Sequence, residues 1–132
     1  MPVAHALIID DSWPNIEVLT TLLDKEDVTY TTTVLPREVP ELARSLDQVD
    51  VVFLDLEMPH QSGFDVLYEL EAIDKLQGVP IVAYSVHNSE IDLARDAGFH
   101  SFLGKPLSVQ LFPEQLQCIL SGGEVWYISY GN

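Results

Sequence analysis

The chain has 132 residues, 47% apolar and 20% charged, which suits one folded domain with a real core and is too apolar for disorder. Twenty-one acidic residues against six basic ones give a net charge of −15. That balance argues against direct binding to nucleic acid phosphates and suits divalent cations and basic partner surfaces. Cys118 is the sole cysteine, and its neighbours Leu116, Ile119 and Leu120 predict a buried, inert thiol. The N-terminus lacks a basic region leading into an apolar segment, and no apolar run approaches the ~18 residues of a membrane span. One cytoplasmic domain with no direct nucleic acid or membrane contact is expected.

Residues 4–9 read as a first strand that runs into Asp10-Asp11. Ser12 is placed to cap a helix and Pro14 to sit in its first turn, with Ile16, Leu19, Leu22 and Leu23 forming its apolar stripe to about Lys25. The Thr- and Val-rich segment 28–34 predicts a second strand, and Pro40 opens a short helix through Leu42, Ala43 and Leu46. Val51 to Leu54 form a continuous apolar run that ends at Asp55 and a Pro59 turn, the pattern of a strand buried on both faces. A helix is expected over 64–75, with Phe64, Leu67, Leu70 and Ile73 inward. A fourth strand, 81–84, ends at Ser85; Asn88 or Ser89 then caps a helix bearing Ile91, Leu93, Ala94 and Ala97, stopped by Gly98. Residues 99–103 predict a fifth strand closed by Gly104-Lys105-Pro106, and a last helix begins at about 109 or 113 and ends near 120.

Five strands alternating with five helices predict a parallel sheet covered on both faces. No Gly-rich phosphate loop follows any strand, which argues against a dinucleotide or P-loop site. The polar residues of interest, Asp10, Asp11, Asp55, Ser85 and Lys105, all fall at carboxyl ends of strands, where such sheets form their ligand crevices. Three converging carboxylates repel one another, and a hard, oxygen-preferring cation such as Mg²⁺ resolves the conflict. Metal, ammonium and hydroxyl around one carboxylate match the needs of a transferring phosphoryl group.

The ordered set Asp10-Asp11, Asp55 with Met58-Pro59 and Gly63, Ser85, and Lys105-Pro106 closely resembles the receiver domain of two-component response regulators, over residues 4–121. The resemblance implies an α/β, flavodoxin-like (βα)5 doubly wound sheet with strand order 2-1-3-4-5, a receiver domain over 1–121 and a short C-terminal tail over 122–132. It implies that Asp55 is the phosphoacceptor, fed by a histidine kinase or histidine phosphotransfer protein. Asp10, Asp11 and Asp55 would hold Mg²⁺ with the backbone carbonyl of Glu57. Lys105 would pair with the phosphoryl group, and Ser85 and Phe102 would change position on phosphorylation. The Lys105–Pro106 bond is expected to be cis. A downstream protein partner would read the face of the fourth helix, fifth strand and fifth helix; the resemblance also admits a homodimer. The protein would be no enzyme beyond catalysing its own phosphorylation and dephosphorylation, and no output domain is expected within the 11 residues after Ser121, although one could follow in a longer regulator.

Several residues depart from the commonest form of the pattern. Val86 stands where Ala or Gly is usual and is expected to slow access to Asp55; Glu57 and His87 hold the two positions that modulate phosphoryl lifetime. Pro113 must kink the last helix or delay its start. His5, His60, His87 and His100 lack metal-ligand spacing and are expected in solvated or loop roles. The apolar segment 124–128 either packs back on the domain or binds a partner, and packing is the favoured expectation. Two other functions stay open. Asp55-Leu56-Glu57 resembles, faintly, the motif of Mg²⁺-dependent phosphatases with an aspartyl nucleophile, although Glu57 and the compact chain weigh against it. A phosphate-independent scaffold is the remaining alternative.

Overall fold

The computed structural model describes residues 3–59 and 61–129. Strands β1 (His5–Ile9), β2 (Thr29–Thr33), β3 (Val51–Asp55), β4 (Ile81–Ser85), β5 (Ser101–Gly104) and β6 (Trp126–Tyr127) form one sheet in the order β2-β1-β3-β4-β5-β6. Every pairing is parallel. Helices α1 (Trp13–Lys25), α2 (Val39–Ser45), α3 (Gly63–Glu71), α4 (Ile91–Ala97) and α5 (Phe112–Leu120) connect them. The first five strands keep the expected 2-1-3-4-5 order of the doubly wound α/β fold, and a sixth is added from the C-terminal tail.

Strand alternation divides the apolar residues between two cores. Leu7, Ile9, Val52, Leu54, Ala83 and Phe102 face α2, α3 and α4, where Val39, Ala43, Val66, Leu67, Leu70 and Ala94 meet them. Ala6, Ile8, Phe53, Val82, Tyr84 and Leu103 face the opposite way, against Ile16, Leu19, Leu23 of α1 and Phe112, Leu116, Ile119 of α5. Because helices cover both faces, every residue of β3, β4 and β5 is buried. Among the described residues no helix is long and apolar enough to cross a membrane.

Several local expectations are corrected. Ser12 occupies the N-cap position of α1, but its side chain makes no capping bond. The helix expected over 64–75 ends at Glu71 and gives way to a 3₁₀ turn at Asp74–Leu76; Ile73 is still buried, while Phe64 is only partly so. Neither Asn88 nor Ser89 caps α4, because both lie in a 3₁₀ turn that precedes it. Leu93 and Ala97 point outward, and only Ala94 of that helix is fully buried, since a two-turn helix lying over one sheet edge presents a narrow stripe. Pro113 lies in the first turn of α5, so it delays the start of the helix instead of kinking it. Cys118 is exposed, not buried. Phe112, Gln115, Leu116 and Ile119 take the inward phase of α5, which turns residue 118 to solvent.

The apolar tail segment packs back on the domain. Trp126 and Tyr127 pair with Phe102 and Leu103 of β5, the Phe102 amide donates to the Val125 carbonyl at 2.8 Å, and the Val125 amide donates to Ser101 Oγ at 2.9 Å. The Asn88 side chain then clamps Ser129, donating to its carbonyl at 2.7 Å and accepting from its amide at 3.2 Å. Gly104 leaves room for this clamp: a Cβ there would lie 2.6 Å from both Asn88 Oδ1 and the Ser129 nitrogen.

Candidate functional site

Parallel pairing brings the ends of β1, β3, β4 and β5 level, with Ile9 opposite Leu54, Asp55 opposite Tyr84 and Ser85 opposite Gly104. Asp10, one residue past β1, therefore stands beside Asp55 at the end of β3. Asp10 and Asp55 are buried, whereas Asp11 sits exposed at the rim. Each of the three offers a carboxylate oxygen, and these oxygens lie within 4.8 Å of one another. Gly63, the first residue of α3, allows this end of the sheet to close. A Cβ there would lie 2.6 Å from the Asp55 carbonyl oxygen, and its amide donates to the Leu56 carbonyl at 3.1 Å.

Lys105 enters from the turn after β5, where the Lys105–Pro106 bond is cis as expected. Its amide donates to the Ser85 carbonyl at 2.8 Å, which locks the turn to β4. Its ammonium, with the side chain only 10% exposed, spans the two buried carboxylates: 3.2 Å to Asp10 Oδ2 and 3.3 Å to Asp55 Oδ1. One ammonium cannot neutralise three carboxylates. Burial pushes the Asp55 carboxyl up, to about 7, with the Asp10 carboxylate adding to the rise and Lys105 opposing it. Among the described residues, the Asp55 carboxylate accepts just one other bond, a long one of 3.4 Å from the Glu57 amide. Asp55 is thus poorly satisfied as an anion. A donor set made only of oxygens, carrying more negative than positive charge, fits Mg²⁺.

Ser85 lies at the site, and its hydroxyl is engaged by Glu57 and Glu90. Its Oγ is 3.1 Å from Glu57 Oε1 and 2.9 Å from Glu90 Oε1, and it accepts from the His87 amide at 3.0 Å. His87 Nε2 pairs with Glu57 Oε2 at 2.9 Å, so the two positions expected to modulate phosphoryl lifetime touch each other at the rim. Val86 is 60% exposed beside them. Phe102 is fully buried and packs in the same core as Trp126. His5 bonds Thr29 and Thr31, and His100 bonds Ser101 and Gly122, so neither joins a metal-binding group. His60 lies outside the described residues.

Sequence reasoning missed Tyr84 and Glu90. Tyr84, fully buried, donates from its hydroxyl to Asp10 Oδ2 at 2.7 Å, and its ring lies 4.2 Å from the Lys105 ammonium. Burial and the Asp10 carboxylate hold its phenol well above the usual tyrosine range. A tyrosine inside a strand buried on both faces is the signal that was available, because its hydroxyl must find an acceptor.

Comparison with known proteins agrees with this geometry. The family description "Response regulator receiver domain" matches residues 6–117. Stress response regulator protein 1 of the yeast Meyerozyma guilliermondii is 33% identical over 114 residues, covering 77% of this chain and 49% of that one. The polar-differentiation response regulator DivK of Brucella anthropi is 25% identical over 116 residues, covering 86% and 94%. The chain thus spans about half of the first relative and nearly all of the second. Among solved structures, the chemotaxis protein CheY4 of Vibrio cholerae superposes with a TM-score of 0.80 at 21% identity, covering 89% of this chain and 99% of that one. With the acidic cluster, the lysine turn and the doubly wound sheet in register, the chain belongs to the response regulator receiver domain family.

Proposed function

We propose that this receiver accepts a phosphoryl group on Asp55 from the phosphohistidine of a histidine kinase or histidine phosphotransfer protein, with Mg²⁺ bound, and thereby alters a protein-binding face. The observation that carries the reading is the buried, under-neutralised Asp55 carboxylate beside Asp10, Asp11 and Lys105. An Asp55 carboxylate oxygen attacks the phosphorus, and the bond to the donor's imidazole nitrogen breaks with its electron pair left on nitrogen. Asp10, Asp11, Asp55 and the Glu57 carbonyl would hold Mg²⁺, which would supply charge neutralisation. Lys105 already contacts Asp55 and is placed to pair with the new phosphoryl oxygens. Catalysis is confined to the domain's own phosphorylation and dephosphorylation.

The switch follows from the added charge and acceptors on Asp55. Ser85 exchanges its Glu57 and Glu90 partners for a phosphoryl oxygen, and Phe102 repacks as the β4–α4 loop moves. Inverting a 1:99 equilibrium takes about 5.5 kcal/mol, which two or three charge-assisted bonds of roughly 1.5–3 kcal/mol supply. The downstream partner reads the α4–β5–α5 face, which in this chain carries β6 over the β5 edge. The net charge of −15 supports protein partners over nucleic acid, and a cytoplasmic location, where kinases deliver phosphate, belongs to the same reading.

Intact mass after incubation with Mg²⁺ and acetyl phosphate or phosphoramidate tests this function. One phosphoryl group gained by wild type, none by Asp55→Asn, and none in EDTA is expected. Val86→Ala accelerates labelling if the Val86 branch restricts small donors, and the Glu57→Ala/His87→Ala pair changes the phosphoryl half-life. No label from small donors or from phosphorylated histidine kinases overturns the reading. Steady turnover of a phosphomonoester favours a phosphatase instead.

A further inference from the structure

Asp10 divides its carboxylate among three donors. Oδ1 accepts from the Ser12 amide at 2.9 Å; Oδ2 accepts from the Tyr84 hydroxyl at 2.7 Å and from Lys105 Nζ at 3.2 Å. The phenol makes the shorter of the two Oδ2 bonds. The same side chain also touches the cation, whose nitrogen lies 4.2 Å from the ring centroid, within cation–π range. Tyr84 cannot turn aside: it is 1% exposed and set edge-on against Phe53, with centroids 6.5 Å apart.

We propose that Tyr84 is a positioning residue that keeps the Asp10–Lys105 contact at a long 3.2 Å, its hydroxyl fixing the anion and its ring supporting the cation, so that Asp10 stays available to Mg²⁺. The physical ground is competition. Without the phenol, Oδ2 keeps only Lys105, and a buried carboxylate–ammonium pair closes toward the ~2.8 Å of an ordinary charge-assisted bond. Mg²⁺ must then displace an ammonium that burial has strengthened. Partners that orient a metal-binding carboxylate in this way set roughly 10–100-fold of metal affinity. This role rests on Mg²⁺ binding at Asp10, Asp11 and Asp55, as proposed above.

The test is calorimetric titration of the full chain with MgCl₂, in wild type, Tyr84→Phe and Tyr84→Leu. Tyr84→Phe removes the hydroxyl and keeps the ring; it raises the Mg²⁺ dissociation constant about tenfold, and excess Mg²⁺ recovers the phosphorylation rate lost at low Mg²⁺. Tyr84→Leu also removes the support for Lys105, so excess Mg²⁺ does not recover its rate. A purely structural role predicts no such split. In wild type, Mg²⁺ shifts the downfield NMR resonance of the phenolic proton, a measurement that needs no variant. A wild-type dissociation constant in folded Tyr84→Phe, or a phenolic resonance unmoved at saturating Mg²⁺, overturns the proposal and leaves the metal site standing. A wild-type protein that binds no Mg²⁺ removes the metal reading itself, and this role with it.

Discussion

The acidic pocket and the β6 tail both meet one short segment, residues 85–90, and their electrostatics differ. Ser85 and Glu90 border a pocket where Asp10 and Asp55 are buried with a single ammonium between them. At the tail, Asn88 pairs both its side-chain amide nitrogen and oxygen with the Ser129 backbone, and Arg95 stacks 4.5 Å from the Trp126 ring centroid. The tail's contacts are complementary as they stand. The pocket sets three carboxylates against one ammonium, an excess of negative charge that a bound cation would balance. Function sits where the fold leaves charge unbalanced, and stability comes from the region where it does not.

Removing the tail after Gly122 is the strongest way to break the comparison. It bares the β5 edge and Phe102 and strips Val125, Trp126 and Tyr127 of their burial. Three partly buried side chains and the uncovered Phe102, at about 1 kcal/mol each, predict a loss of roughly 3–5 kcal/mol in urea denaturation. An unchanged midpoint would make β6 an ornament of the sheet.

Asp55→Asn should act in the opposite direction. Because burial raises the folded carboxyl from 3.8 to about 7, the folded state holds its proton more tightly than the unfolded chain. In EDTA, wild-type stability is therefore highest below about pH 4 from this group and declines as pH rises through about 7. The substitution removes that decline and stabilises the metal-free protein at pH 7.5 by roughly 1–2 kcal/mol, after allowance for solvent screening at the pocket mouth. Equal stability across this range for both proteins would show that the pocket carries no unbalanced charge.

Asn88→Ala removes two hydrogen bonds to the tail and should cost about 1–2 kcal/mol, read as faster amide exchange at 125–129 than at β1. Arg95→Ala gives the smallest effect, about 0.5–1 kcal/mol for an exposed cation–π contact, together with a change in Trp126 fluorescence.

The pocket was legible because its residues announce themselves locally. An apolar run that ends in Asp10 or Asp55 marks both a buried strand and the end of it, and strand alternation places the cores. Gly63 and the Lys105-Pro106 turn follow the same logic. What escaped were pairings between distant segments: the Tyr84 hydroxyl meets an Asp10 carboxylate 74 residues away, and Ser85 is bonded to Glu57 from another strand end. Cys118 escaped for a different reason. Residues adjacent in sequence on a helix do not share a face.

By itself, then, the sequence determined the alternation of strands and helices, the family, and the convergence of Asp10, Asp11, Asp55 and Lys105, because each depends on periodicity or on position at a strand end. Only the tertiary structure decided where the tail goes, which partners Ser85 takes, and that Tyr84 touches both Asp10 and Lys105. Those depend on which donor reaches which acceptor across the sheet, and no local pattern encodes that distance.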